Sequence, residues 1–214
     1  MIGEPLLEVR DLSITFRTPA GTAHAVTGSS FTIAAGERVG MVGESGSGKS
    51  LTGLSLLGLL PPAAEVTGEV LLDGRNLLAM PERELRAVRG REVSMIFQEP
   101  MTALDPVFTV GQQISATFRA HRGVGRAEAK RRAVDLLEEV GIPEPARRFR
   151  EYPHQLSGGM RQRAMIAMAL VCEPRLLVAD EPTTALDVTI QAQVLELIAQ
   201  LSRDRGTAVL LITH

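Results

Sequence analysis

Arg38-Val39-Gly40-Met41-Val42 runs straight into Gly43-Glu44-Ser45-Gly46-Ser47-Gly48-Lys49-Ser50-Leu51, and from Lys49 to Leu60 the pattern turns helical. A short strand, a glycine-rich turn and a helix that opens on Lys-Ser fit G-x-x-x-x-G-K-S in the context that motif requires. The glycines let successive backbone N–H groups turn inward around phosphate oxygens, and the positive end of the helix adds to them. Lys49 then reaches β- and γ-phosphates, and the Ser50 hydroxyl is placed to ligate Mg²⁺. A chance match in a chain of this length is on the order of one in a hundred before the strand–loop–helix context is counted, so the stretch is read as a nucleoside triphosphate site.

Three more strand ends carry polar chemistry. Leu176-Leu177-Val178-Ala179 is apolar without a break, as a central strand is, and ends on Asp180-Glu181. Adjacent strand positions point to opposite sides, so the two acids take different tasks: Asp180 on the Mg²⁺ shell, Glu181 polarising an attacking water. Val93–Phe97 leads to Gln98, placed for Mg²⁺ or the lytic water, and Ala208–Thr213 leads to His214, placed for the γ-phosphate. In open parallel sheets ligands lie at the carboxyl ends of the strands, so these four ends are expected to converge. A further anion-ready helix start is Leu156-Ser157-Gly158-Gly159-Met160, ahead of Arg161-Gln162-Arg163, with Ser157 as N-cap. The phosphate loop already serves one triphosphate, so this second start is read as serving a nucleotide on another subunit.

Composition narrows the class. The 214 residues are 44% hydrophobic and 22% charged, which excludes a disordered, collagen-like or coiled-coil chain and leaves one globular domain with a possible insertion. The longest apolar stretches, Leu54–Leu60 and Ala164–Cys172, fall far short of the ~20 residues that span a bilayer. The first residues show no basic and apolar leader, so a cytosolic location is expected. The lone Cys172 reads as a small core residue. A net charge of −2 offers no general attraction for nucleic acid. Residues 119–150 hold nine Arg/Lys against five Asp/Glu, and solvated helix faces account for them. Only Lys49 and Lys130 among the 23 basic residues are lysines, which makes the placement of Lys49 conspicuous.

Strands are expected at Leu6–Leu12, Ile14–Phe16, Phe31–Ile33, Arg38–Val42, Glu69–Leu72, Val93–Phe97, Leu176–Ala179 and Ala208–Thr213. Helices are expected at Lys49–Leu60, Glu82–Arg89, Val110–His121, Arg126–Val140, Gly158–Val171 and Val188–Arg203. From about Glu99 to Leu156 no strand pattern occurs, so residues 99–156 read as a helical subdomain inserted into an α/β sheet domain formed by 1–98 and 157–214.

With these motifs in order, the sequence resembles the ATP-binding subunits of ATP-binding-cassette (ABC) transporters over essentially its whole length. The resemblance implies a P-loop NTPase (RecA-like) core with N-terminal antiparallel β strands and an inserted α-helical subdomain, ATP and Mg²⁺ as cofactors, and ATP hydrolysis coupled to transport. Gly43–Ser50 resembles Walker A, Gln98 the Q-loop, Leu156–Met160 the signature, Leu176–Glu181 Walker B, Ala185-Leu186-Asp187 the D-loop and His214 the switch histidine. It implies nucleotide contacts from Phe16, which stacks on adenine, and from Gly43, Glu44, Ser45, Gly46, Ser47, Gly48, Lys49, Ser50 and Leu51, with Ser157, Gly158 and Gly159 serving the partner's ATP. It implies metal contacts from Ser50, Gln98 and Asp180, and catalysis by Glu181 with Gln98 and His214. Met160 stands where the family's signature usually ends in glutamine.

Longer wording narrows the branch. Gln98–Pro106, Tyr152–Met160 and Asp180–Gln193 are similar to the ATPases of dipeptide/oligopeptide importers and of related nickel importers. The implied assembly is a second ATP-binding subunit, identical or not, two transmembrane permease subunits at the cytoplasmic face of the inner membrane, and indirectly an extracytoplasmic solute-binding protein, with no nucleic acid. Alternatives are an importer ATPase for nickel or another small solute, and a soluble ABC-type ATPase. Family members continue beyond the switch histidine, so the chain is also expected to be a C-terminally truncated form of a longer subunit.

Overall fold

The computed structural model describes residues 4–19, 21–98, 103–183 and 188–214. Two four-stranded sheets organise it. An antiparallel sheet has the order β2-β1-β4-β5, with β1 Leu7–Thr18, β2 Gly21–Ile33, β4 Ala64–Leu72 and β5 Arg75–Asn76. A parallel sheet has the order β3-β8-β7-β6, with β3 Arg38–Val42, β6 Val93–Ile96, β7 Leu176–Asp180 and β8 Ala208–Thr213. The helices are α1 Lys49–Ser55, α2 Glu82–Val88, α3 Val110–Arg122, α4 Arg126–Glu139, α5 Pro145–Arg148, α6 Gly158–Leu170 and α7 Val188–Arg205.

The parallel sheet is packed on both faces, which explains the unbroken apolar run of β7. Leu176 and Val178 join a core with Leu7, Ile14, Leu72, Leu56, Met95 and Ile212, between the sheets and α1. Leu177 and Ala179 face the other way, into a second core with Ile114, Leu136, Met165, Ile166 and Ile198 from the helices. Residues 103–156 contribute α3, α4 and α5 and no strand among the described residues. A capping box at Thr109 starts α3, and Gly123 ends it in the left-handed conformation.

Several expected boundaries move, each for a local reason. β1 is one strand rather than two, because a bulge at Asp11 (φ 47°) absorbs the irregularity while both ladders continue. β2 begins at Gly21, well before Phe31, since its first half is mostly exposed and carries no apolar alternation. α1 stops at Ser55 instead of Leu60. Gly58 (φ 60°) turns the chain there, with the Leu59 and Gly58 N–H groups donating to the carbonyls of Leu54 and Ser55.

α1 lies close on the sheet because Gly53 has no side chain. A Cβ there would stand 3.0 Å from Ile212 Cδ1 and 3.2 Å from Val178 Cγ1. Gly53→Leu is therefore expected to destabilise the fold by about 1–3 kcal/mol through overpacking, lowering the urea midpoint at unchanged slope. Gly40→Ala, exposed on β3 where an added Cβ meets nothing, should leave the midpoint nearly unchanged, a stability difference within about 0.5 kcal/mol. Equal midpoints for the two variants would refute the close approach of α1.

Candidate functional site

Parallel pairing brings the strand ends level. Val42 of β3 pairs with Thr213 of β8, and Asp180 of β7 pairs with Ile212, so the residues that follow emerge side by side. After β3 the loop turns through Gly46 (φ 81°) and Gly48 (φ 88°), conformations that a residue with a Cβ adopts only under strain. At Gly48 space is also exhausted: a Cβ would lie 2.3 Å from the Ala25 carbonyl oxygen and 2.7 Å from Val26 Cγ2, so β2 presses directly on the loop.

Lys49 is 8% exposed, and its Nζ donates to the carbonyls of Gly43 (2.7 Å) and Glu44 (2.8 Å). The loop thus holds an ammonium at its centre by its own backbone dipoles. One residue on, Ser50 Oγ donates to Asp180 Oδ1 at 3.0 Å across 130 residues of sequence. Asp180 is 5% exposed, and burial pushes its carboxyl above the usual carboxylate range; Glu181 adds to this, while the Ser50 hydrogen bond and the Lys49 charge oppose it.

Glu181 faces the same space from the other side. Its Oε2 accepts from Gln98 Nε2 at 2.8 Å and lies 3.9 Å from His214 Nδ1, whose side chain is 68% exposed. Glu181 also has φ 43°, a conformation that costs a non-glycine residue about 1 kcal/mol or more and is held by surrounding structure. Its N–H donates to the Ile212 carbonyl at 3.0 Å.

Ser45, Gly46, Gly48, Lys49, Ser50, Leu51, Gln98 and Glu181 line one cleft of about 200 Å³. A larger cleft, of about 530 Å³, lies between α2 and the end of α3 beside Arg86, Arg91 and His121, away from the converging strand ends. The small cleft is the candidate site, since polar groups from the phosphate loop, β6 and β7 meet there. Its oxygen donors, a serine hydroxyl bonded to a buried carboxylate, suit a hard cation that completes its shell with phosphate and water. The described residues contain no cluster of three or more His, Cys, Asp or Glu that would hold a metal alone.

Gly43, Glu44, Asp180 and His214 adjoin the lining through the contacts given above, whereas Phe16, Ser157, Gly158 and Gly159 are not among the residues that line this cleft. Phe16 is half-buried on β1, paired with Ala23 and Ala64, outside the lining. Ser157 caps α6 by accepting from the Met160 N–H at 3.3 Å, and Ser157 and Gly158 are exposed. Met160 packs against the helical-side core. Ala185-Leu186-Asp187 fall outside the described residues, as do Glu99–Thr102 next to Gln98. The sequence reading passed over Gln162, which is 2% exposed and donates from Nε2 to the Pro182 carbonyl at 2.5 Å. A glutamine between two arginines at the start of a helix that is apolar from Ala164 onward was the signal available for it.

Residues 26–184 match the family described as ABC transporter. The chain belongs to that family. It is 52% identical over 209 residues to the oligopeptide transport ATP-binding protein OppD of Salmonella typhimurium, an alignment that covers 98% of this chain and 62% of that protein. It is 55% identical to the peptidoglycan transport ATP-binding protein YejF of Agrobacterium fabrum, over 99% of this chain and 39% of that one. The chain thus spans less than two thirds of the length of these relatives. Among solved structures, a dimeric post-hydrolysis state of the ATP-binding cassette MJ0796 bound to ADP and Pi superposes with a TM-score of 0.85 at 29% identity, covering 97% of this chain and 88% of that one. The family fold agrees with the one read from the sequence, a P-loop core of mixed sheets.

The raised Asp180 carboxyl gives a stability prediction with a definite sign. The folded state binds this proton more tightly than the unfolded chain does, so the stability it contributes at low pH is lost as pH rises through the raised value. Without nucleotide and metal, Asp180→Asn should therefore melt above the unaltered protein at pH 7–8, by about 2–4 °C for each ~1 kcal/mol relieved, and the gap should close towards pH 4. An Asp180→Asn protein that melts lower at every pH would contradict this.

Proposed function

We propose that this chain is the nucleotide-hydrolysing part of an ATP-binding subunit that energises an inner-membrane importer of di- or oligopeptides. The observation that carries the reading is the cleft lined by Lys49 and Ser50 of the phosphate loop together with Gln98 and Glu181, in which Gln98 holds Glu181 and Ser50 is bonded to Asp180. In this role the loop N–H groups and Lys49 take the β- and γ-phosphates of ATP in exchange for the loop carbonyls that Lys49 now contacts. Mg²⁺, held by Ser50 and supported by Asp180, supplies charge neutralisation on the phosphates when bound. Glu181 accepts the proton of the attacking water; Gln98 fixes its carboxylate, and His214 approaches the same oxygen from β8.

The same reading extends to an assembly with partners. Ser157 and Gly158 are exposed where α6 opens, with Gly159 half-buried behind them, and none of the three lines the cleft, which supports a head-to-tail partner whose nucleotide they would meet. Phe97, Val107 and Phe108 are exposed around the Gln98 segment, which supports docking of a permease on the helical insertion formed by α3–α5. No described helix is long and apolar enough to cross a membrane. In this reading the subunit sits at the cytoplasmic face of that permease. The names of the relatives favour peptides, with peptidoglycan transport as a neighbouring specificity.

Two mutations test the chemistry. Lys49→Ala should abolish hydrolysis and weaken ATP binding, while Glu181→Gln should keep ATP affinity and slow turnover by roughly 10²-fold or more. ATP with Mg²⁺ should then accumulate a dimer of the Glu181→Gln protein in sedimentation. Near-normal turnover in either variant would overturn the assignment. For docking, Phe108→Asp should remove co-purification with the permease subunits without lowering the melting temperature; unchanged co-purification would place the permease elsewhere.

A further inference from the structure

Resting on the proposed hydrolysis, we infer that Gln162 is a positioning residue for Glu181. Glu181 occupies a left-handed conformation, which persists only when neighbouring contacts impose it. On one side its N–H is bound to the Ile212 carbonyl of β8. On the other side follows Pro182, buried and with no N–H of its own, whose carbonyl takes the Gln162 amide at 2.5 Å. The backbone that aims the carboxylate is therefore clamped between the sheet and α6.

Gln162 sits within a run in which three successive residues tie α6 to three different segments. Arg161 Nε donates to the Pro153 carbonyl at 2.7 Å, in the loop that leads to Ser157. Arg163 Nη1 donates to the Val140 carbonyl at 2.6 Å, at the end of α4. Gln162, between them, holds the turn just past Glu181. A movement of the Ser157–Gly159 end of α6, as when a partner's nucleotide engages it, is thereby transmitted to Glu181 by a side chain that touches neither nucleotide. The phosphate loop is not part of this linkage, so affinity for ATP in the subunit's own cleft is left alone.

The test is steady-state ATP turnover by the intact transport complex. Gln162→Met, which keeps length and removes the donor, should lower kcat about ten-fold and leave KM for ATP within about two-fold. Gln162→Glu adds a readout that packing alone would not produce. Its protonated carboxyl can donate to the Pro182 carbonyl, whereas its carboxylate repels that oxygen. Relative to the unaltered complex, its kcat should recover as pH is lowered from about 8.5 to about 6, with the circular dichroism of the folded state unchanged, since burial raises such a carboxyl into this range. An unchanged kcat in Gln162→Met overturns the inference, as does a Gln162→Glu activity ratio that is flat with pH. A fall in kcat no larger than the fraction of unfolded protein seen by circular dichroism overturns it too. Absence of turnover in the unaltered complex would instead overturn the proposed function on which this rests.

Discussion

The burial of β7 on both faces is the constraint from which the rest of the molecule follows. A strand that packs against two cores cannot slide, because a one-residue slip would exchange the side chains offered to each. Its pairing with β8 and β6 therefore sets where the neighbouring strands stop. β8 carries the same register on to β3. The phosphate loop, the two carboxylates and Gln98 thus come to one level through apolar packing rather than through attraction between polar groups. The Ser50 to Asp180 hydrogen bond joins groups that the sheet has already brought together.

The site holds several features that a fold selected for stability alone would shed. A nearly buried ammonium and a glutamate in left-handed conformation line one small cleft, and a nearly buried carboxylate is hydrogen-bonded to the serine of its lining. Each is tolerated because rigid surroundings answer it: loop carbonyls for Lys49, a hydroxyl for Asp180, flanking backbone hydrogen bonds for Glu181 and Pro182. Such groups are preorganised for a polyanion, whose charge and oxygen atoms complement them better than water does.

Much of this was legible in the sequence where periodicity or a motif spoke directly. The apolar run Leu176–Ala179 gave away a central strand, and the loop Gly43–Ser50 gave away its ligand class. The rule that ligands gather at strand ends was enough to group Gln98, Asp180 and Glu181 without knowing any distance. Where local pattern was weak, the reading stopped short: the exposed first half of β2 carries no alternation, and the bulge in β1 looks like an interruption in a linear string. The pairing of Gln98 with Glu181, and of Gln162 with Pro182, depends on where backbone and carboxylate come to rest in space. Residue types alone do not carry that information, whereas the early end of α1 at Gly58 could have been anticipated from the glycine.

The double-sided wall has a consequence for how such a chain can diverge. Leu177 and Val178 are neighbours in sequence, yet one meets the helical side and the other meets α1 beside Gly53. The packing around Ile114 on α3 and Leu136 on α4 can therefore change, and with it the surface those helices present, while the wall on the α1 side keeps its own contacts and α6 stays tied to Pro182 through Gln162. One strand thus serves as a partition, so that repacking on the α3 and α4 side need not propagate into the contacts on the α1 side.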